Sequence, residues 1–200
     1  MMPTPPPEPQ AAVFTAGFST LPLDRFLANL RAYDIAVLAD VRALPVAALA
    51  PHFDMERIGP AVRAAGLKYR YLGRELGGEP DDPALYDAEG HALYGRIAAQ
   101  PWFQLGLGLV LDDLRRGRRV ALACVEDDPR LCHRRLLVGR ALREQGIGVA
   151  HILPGGGLIA EAELLDEEGL DSRLLPPLHG GEWRSPSPVP RQHRPHHKPR

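Results

Sequence analysis

R-V-A-L-A-C-V, residues 119–125, runs directly into E-D-D-P-R-L-C-H-R, residues 126–134. Six small or branched apolar residues without polar alternation read as a strand covered on both faces, the pattern of a parallel sheet. The acidic turn with Pro129 ends that strand, and Cys132 to Gln145 reads as a helix stopped by Gly146. Val149 to Leu153 is then the next strand. A buried strand, a short polar turn, a helix and another strand form a βαβ unit, and the rest of the chain is read outward from it.

Upstream, Ala92 to Ala99 and Trp102 to Leu114 have helical periodicity, the second followed by R-R-G-R-R, whose charge suits a helix C-terminus. Lys68 to Leu72 is a strand leading into a long Gly- and Pro-rich loop. Ile35 to Val41 is another strand, and Met55 to Ala65 a helix ended by Gly66. Ala12 to Gly17 is the first strand; Ser19 or Thr20 caps a helix whose Leu23, Phe26, Leu27 and Leu30 share one face. Leu158 to Leu170 reads as a terminal helix. Alternating strands and helices predict an α/β fold, a three-layer α/β/α sandwich with a mostly parallel sheet.

The chain has 200 residues, 44% apolar and 24% charged, enough for one domain with a full core, placed at residues 11–179. Residues 1–10, rich in Pro, and 180–200, rich in Pro, Arg and His, read as disordered tails. A net charge of -1 gives no whole-protein attraction to nucleic acid or membrane, which leaves the basic C-terminal tail as the one local patch for nucleic acid. Two cysteines make no disulfide scaffold, and no basic-then-apolar leader is seen, so a cytoplasmic protein with reduced thiols is expected. The apolar runs are far short of the roughly 20 residues of a spanning helix.

In a parallel sheet the C-terminal strand ends share one edge, which gathers Gly17 and Ser19, Asp40 and Arg42, Tyr71, Gly73 and Arg74, and Cys124 and Glu126 onto one crevice. Cys132, at a helix N-terminus with His133 and Arg134 beside it, suits a thiolate nucleophile, and His133 a general base. Arg42, Arg74 and Arg134 form a candidate fork for phosphate or carboxylate. Alternatively, Arg42 and Arg134 pair with Asp40 and Glu126 in a structural network, and the thiols pack as small apolar groups. Gly77 and Gly78 allow close backbone approach to a ligand, or make an ordinary turn.

Cys124 and Arg130 enclose five residues, the spacing of a cysteine phosphatase loop, but Glu126, Asp127 and Asp128 would repel phosphate and no glycine permits the anion cradle. D-V-R after a strand, with a later cysteine at a strand end, is similar to the rhodanese-like sulfur carriers, without the rest of their cysteine loop. Cys124, Cys132 and His133 together offer donors for a zinc site, but they lack paired C-x-x-C spacing and an evident fourth ligand, so no metal is assigned.

T-A-G-F-S (15–19), D-V-R-A-L-P (40–45), Y-R-Y-L-G-R-E-L-G-G (69–78) and C-V-E-D-D-P-R-L-C-H-R (124–134), followed by V-A-H-I (149–152), together resemble the domain-of-unknown-function family 488 over Val13 to Ile152. The resemblance implies a fold and a site without a settled reaction. It carries over to Gly17, Ser19, Asp40, Arg42, Pro45, Tyr71, Leu72, Gly73, Leu76, Gly77, Gly78, Cys124, Glu126, Cys132, His133 and Arg134. The family commonly has His where this chain has Phe18, and Ser-rich or basic residues where it has V-A-A-L-A (46–50).

The expected function is an enzyme acting on an anionic or phosphate-bearing small molecule such as a nucleotide. Arg42 and Arg134 serve as anchors, Cys132 or His133 does the chemistry, and Asp40 or Glu126 orients them. The alternative is a non-catalytic module that binds nucleic acid or a phospho-ligand. The sequence names no cofactor and no oligomeric state.

Overall fold

Strand β4 (Val120–Cys124) lies at the centre of a six-stranded sheet, and every other element is arranged around it in the computed structural model, which describes residues 13–47, 49–170 and 182–189. The strands β1 (Val13–Gly17), β2 (Val37–Asp40), β3 (Lys68–Tyr71), β5 (Val149–Ile152) and β6 (Leu158–Ala160) complete the order β3-β2-β4-β1-β5-β6. All pairings are parallel except the edge pair of β5 with β6. The register sets Gly17 beside Cys124, and Asp40 beside both Ala123 and Tyr71.

Alternation along each strand splits the core into two layers. Phe14, Ala16, Leu38, Ala121 and Ala123 face α1 (Leu23–Ala32) and α2 (Met55–Ala64), packing on Phe26, Leu30, Ile58 and Val62. Val13, Val37, Ala39, Val120, Leu122 and Cys124 face the other layer. That layer comprises α3 (Gly73–Leu76), α4 (Tyr94–Ala98), α5 (Pro101–Arg115), a helical run through Arg134–Gly139 and α6 (Arg140–Arg143), and α7 (Glu161–Glu167). The three-layer α/β sandwich is therefore as read, and Gly66 and Gly146 end their helices at positive φ, 84° and 77°.

Four local readings are corrected. The first helix takes no cap from Ser19 or Thr20. The Phe18 and Ser19 N–H groups bond to the Cys124 and Val125 carbonyls, Ser19 turns at φ 35°, and the helix begins only after Pro22. Leu158–Ala160 is a strand rather than the start of a helix, because the glycine turn at 155–157 folds it back on β5. The helix after Cys132 is wound as a π-helix through Arg134–Gly139, a rare form frequent at functional sites.

The fourth concerns the C-terminal tail, which the sequence reads as unpacked from Gly180. Trp183 donates its indole N–H to the Leu136 carbonyl at 2.7 Å and lies under the Arg140 guanidinium, while Ser185 is buried and accepts from the Ala92 N–H. The rest of that tail, like the first ten residues, lies outside the described residues.

Candidate functional site

At the C-terminal end of β4, Cys124, Cys132 and His133 meet. Loop 125–131 leaves the strand and returns Cys132 to it, with Asp128 capping its short turn by accepting from the Arg130 N–H at 2.8 Å. The imidazole of His133 is held from behind: Nε2–H donates to the Val41 carbonyl at 2.9 Å. That bond turns Nδ1 toward both sulfurs, each 3.9 Å away. Gly78 packs on the other side of the ring, where a Cβ would lie 2.8 Å from His133 Cβ.

Charge is divided unequally over the two thiols. Burial opposes ionisation of Cys132, but the hydrogen bond from Cys124, the Arg134 guanidinium and His133 together hold its pKa well below the ordinary thiol value. The bond to Cys132, with burial added, pushes Cys124 up, so Cys124 is the S–H donor of the pair. His133 is raised although burial works against it, because the Cys132 sulfur stabilises its proton. The two shifts favour negative charge on the Cys132 sulfur and positive charge on the His133 ring, across a gap of 3.9 Å.

A cleft of about 550 Å³ opens over these groups. Arg42, Tyr94, Val125 and Glu126 line it together with the thiols, and Ser185 to Val189 form one wall. Arg42 is 2% exposed and grips Asp40 through Nε (2.9 Å) and Nη2 (2.6 Å), with Nη2 also on the Phe53 carbonyl. Its Nη1, itself buried, has no hydrogen-bond partner among the described residues, and Arg42 belongs to the lining. Phe18 stacks on Phe53 at 4.1 Å and lies beneath the Arg42 guanidinium. An apolar ring in that position supports the cation from below and supplies no proton-transfer group.

The structure redistributes the roles read from the sequence. Asp40 is fully buried under Arg42 and Tyr69, whose hydroxyl donates to it at 2.8 Å, so Asp40 holds Arg42 in place and faces no cleft. Arg134 is spent on structure: its guanidinium donates to the Glu126 and Asp127 carbonyls and to Thr15 Oγ1. Arg74 is exposed and lines a separate hollow of about 290 Å³ with Gly73 and Gly77. The three-arginine fork is therefore not formed, and of the three only Arg42 lines the cleft. The Glu126 carboxylate stands at the rim, on an exposed residue.

Tyr71 donates to the Ala43 carbonyl and fixes the chain beyond β2. Gly17, Gly73 and Gly77 are points of backbone crossing. A Cβ would meet the Glu126 carbonyl at 2.1 Å, the Arg42 carbonyl at 1.8 Å and the Gly73 carbonyl at 2.4 Å, respectively. Ser19 uses its N–H on Val125. Sequence reasoning missed Tyr94 and the wall at 185–189. Tyr94 sits in an ordinary amphipathic stretch, and the wall has no periodicity to read.

A family profile described as "Domain of unknown function DUF488" matches residues 22–141, more than half of the chain. The protein belongs to this DUF488 family. Neither the curated proteins nor the solved structures give a match. Within the DUF488 match fall Arg42, Cys124, Cys132 and His133, which line the cleft, and Asp40, which holds Arg42 from behind, whereas the wall formed by residues 185–189 lies beyond it.

Proposed function

We propose that this DUF488 protein is an enzyme of thiol chemistry acting on a small anionic molecule bound in the cleft. Cys132 is the nucleophile, His133 accepts or returns its proton through Nδ1, and Arg42 holds the anionic group with Nη1. One observation carries the reading: His133, tethered to the Val41 carbonyl, directs Nδ1 at two sulfurs on the wall of a cleft large enough for a ligand of nucleotide size.

The chemistry favours a compact anion over a polyanion. Glu79 and Glu126 share the lining with Arg42, so the mouth carries mixed charge and suits a molecule that joins one acidic group to hydroxyl or amine donors. A cytoplasmic setting, where thiols stay reduced, belongs to the same proposal. The fold unit proposed to carry it is a single domain, now with the 182–189 segment packed against it.

Alkylation by iodoacetamide with mass-spectrometric site assignment tests the reading. Cys132 is expected to be modified faster than a free cysteine at neutral pH, and inorganic phosphate or a nucleotide is expected to slow it. A thermal-shift screen of nucleotides and sugar phosphates is expected to find a ligand that raises Tm. An inert Cys132, with no anion that raises Tm, sinks the proposal. If the wild-type protein and Cys132→Ala bind such a ligand equally and neither turns it over, the cleft is a binding module.

A further inference from the structure

The geometry points to a metal site in which Cys124 Sγ, Cys132 Sγ and His133 Nδ1 hold one zinc ion, with the fourth coordination position open to the cleft. The three donor atoms lie within 4.8 Å of one another. Both sulfur-to-Nδ1 distances are 3.9 Å. Tetrahedral zinc with bonds of about 2.3 Å to sulfur and about 2.0 Å to nitrogen requires S···N separations of about 3.6 Å and an S···S separation of about 3.8 Å. The imidazole therefore needs to approach each sulfur by a few tenths of an ångström, and the two sulfurs, within 4.8 Å of one another, to close to about 3.8 Å.

Two features distinguish this cluster from a chance meeting of thiols. The first is the bond from His133 Nε2–H to the Val41 carbonyl, the outer-shell partner that metal-bound histidines commonly have, which leaves Nδ1 as the ligating nitrogen. The second is charge: two thiolates and a neutral imidazole around a divalent cation make a neutral centre, the form that burial of Cys124 and Cys132 tolerates best. The donor set is sulfur-rich, which selects zinc over magnesium or calcium. Three protein ligands and an open position are the arrangement of catalytic rather than structural zinc.

The inference goes beyond the thiol reading and does not depend on it. Zinc occupies both sulfurs, so the metal-bound protein cannot use Cys132 as a nucleophile. Bound zinc either keeps the thiols out of reaction or presents a polarised water in the same cleft.

The full-length protein, stripped with a chelator under reducing conditions, is titrated with cobalt(II) as a spectroscopic stand-in and then with zinc. Expected are a thiolate-to-cobalt charge-transfer band in the near ultraviolet with strong tetrahedral bands in the visible, saturation at one equivalent, and displacement by zinc with a rise in Tm. Cys124→Ser and Cys132→Ser are each expected to weaken the charge-transfer band. His133→Gln, which spares both sulfurs, should keep a charge-transfer band at an affinity lower by roughly tenfold or more, since loss of an outer-shell partner alone costs 10- to 100-fold.

A weak octahedral cobalt spectrum in the folded wild-type protein overturns the site, as does a charge-transfer band of undiminished intensity in both cysteine variants. The two proposals fail separately. Fast alkylation of Cys132 without a cobalt band removes zinc and keeps the thiol enzyme. A strong cobalt band on a protein whose metal-free Cys132 is inert does the reverse.

Discussion

His133, next to Arg134 in the chain, and His151, linked to Arg134 through Thr15, lie at the two ends of one arginine's reach, and the two ends have opposite character. His151, in the middle of β5, is fully buried; its Nδ1 accepts from the Thr15 hydroxyl at 2.9 Å and its Nε2–H donates to Glu161 at 2.7 Å. Arg135 and Arg143 complete the pairing of Glu161, and Glu168 closes the second fork of Arg135. Arg134 joins the two ends, touching Thr15 with Nε and the cysteine loop with its outer nitrogens.

Burial dominates at His151 and, despite Glu161, moves its pKa down, whereas the Cys132 sulfur moves that of His133 up. Thr15, His151 and Glu161 have the residue types of a hydrolytic triad, yet each ring nitrogen is occupied and His151 lines neither hollow described above. His133 keeps an unshared approach to two sulfurs and borders a cleft. Residue type thus identifies neither region; what separates them is whether hydrogen bonding is complete and whether a ligand can reach it.

The sharpest way to break the comparison is Arg135→Ala. It leaves Glu161 and Glu168 without their buried partner and is expected to cost about 3–5 kcal/mol, read by urea denaturation, while folded molecules keep the wild-type alkylation rate at Cys132. Gly17→Ala comes next. The new methyl overlaps the Glu126 carbonyl, so a loss of roughly 1–3 kcal/mol should be joined by a changed alkylation rate, because the loop that must move carries the thiols.

Acid should also separate the two ends. His151, with its folded pKa below 6.5, binds protons better when unfolded, so stability falls as pH drops through that value. Glu161, held below 4.5 by His151 and Arg135 against the effect of burial, contributes stability above that pH which is lost on further acidification. In a His133→Ala variant, which removes the opposite contribution of the raised His133 pKa, a denaturation midpoint that rises between pH 7 and pH 5 would contradict this sign. His133→Ala is expected to have the smallest effect on stability, about 1 kcal/mol for the bond to Val41, with a marked fall in Cys132 alkylation.

The framework was legible because buried parallel strands write themselves as unbroken apolar runs: 120–125 and 149–153 could be little else. The convergence of Asp40, Arg42, Cys124 and His133 then followed from strand direction. What remained illegible was the division of labour among the arginines. Arg42, Arg74 and Arg134 look alike in one dimension, and only the packing shows that Arg134 is consumed by loop carbonyls, that Arg74 faces solvent, and that Arg42 keeps one nitrogen free. The Thr15–His151–Glu161 chain left no signal either, since each member sits alone in an apolar context.

The wall contributed by Ser185 to Val189 changes where the functional unit ends. Its anchor, Trp183, is fastened to Leu136 on the π-wound segment that begins two residues after Cys132. Shortening the protein after α7 would therefore widen the entrance and loosen the backing of the helix behind the thiols. Selectivity measured on such a shortened chain would belong to a different opening from the one the whole polypeptide presents.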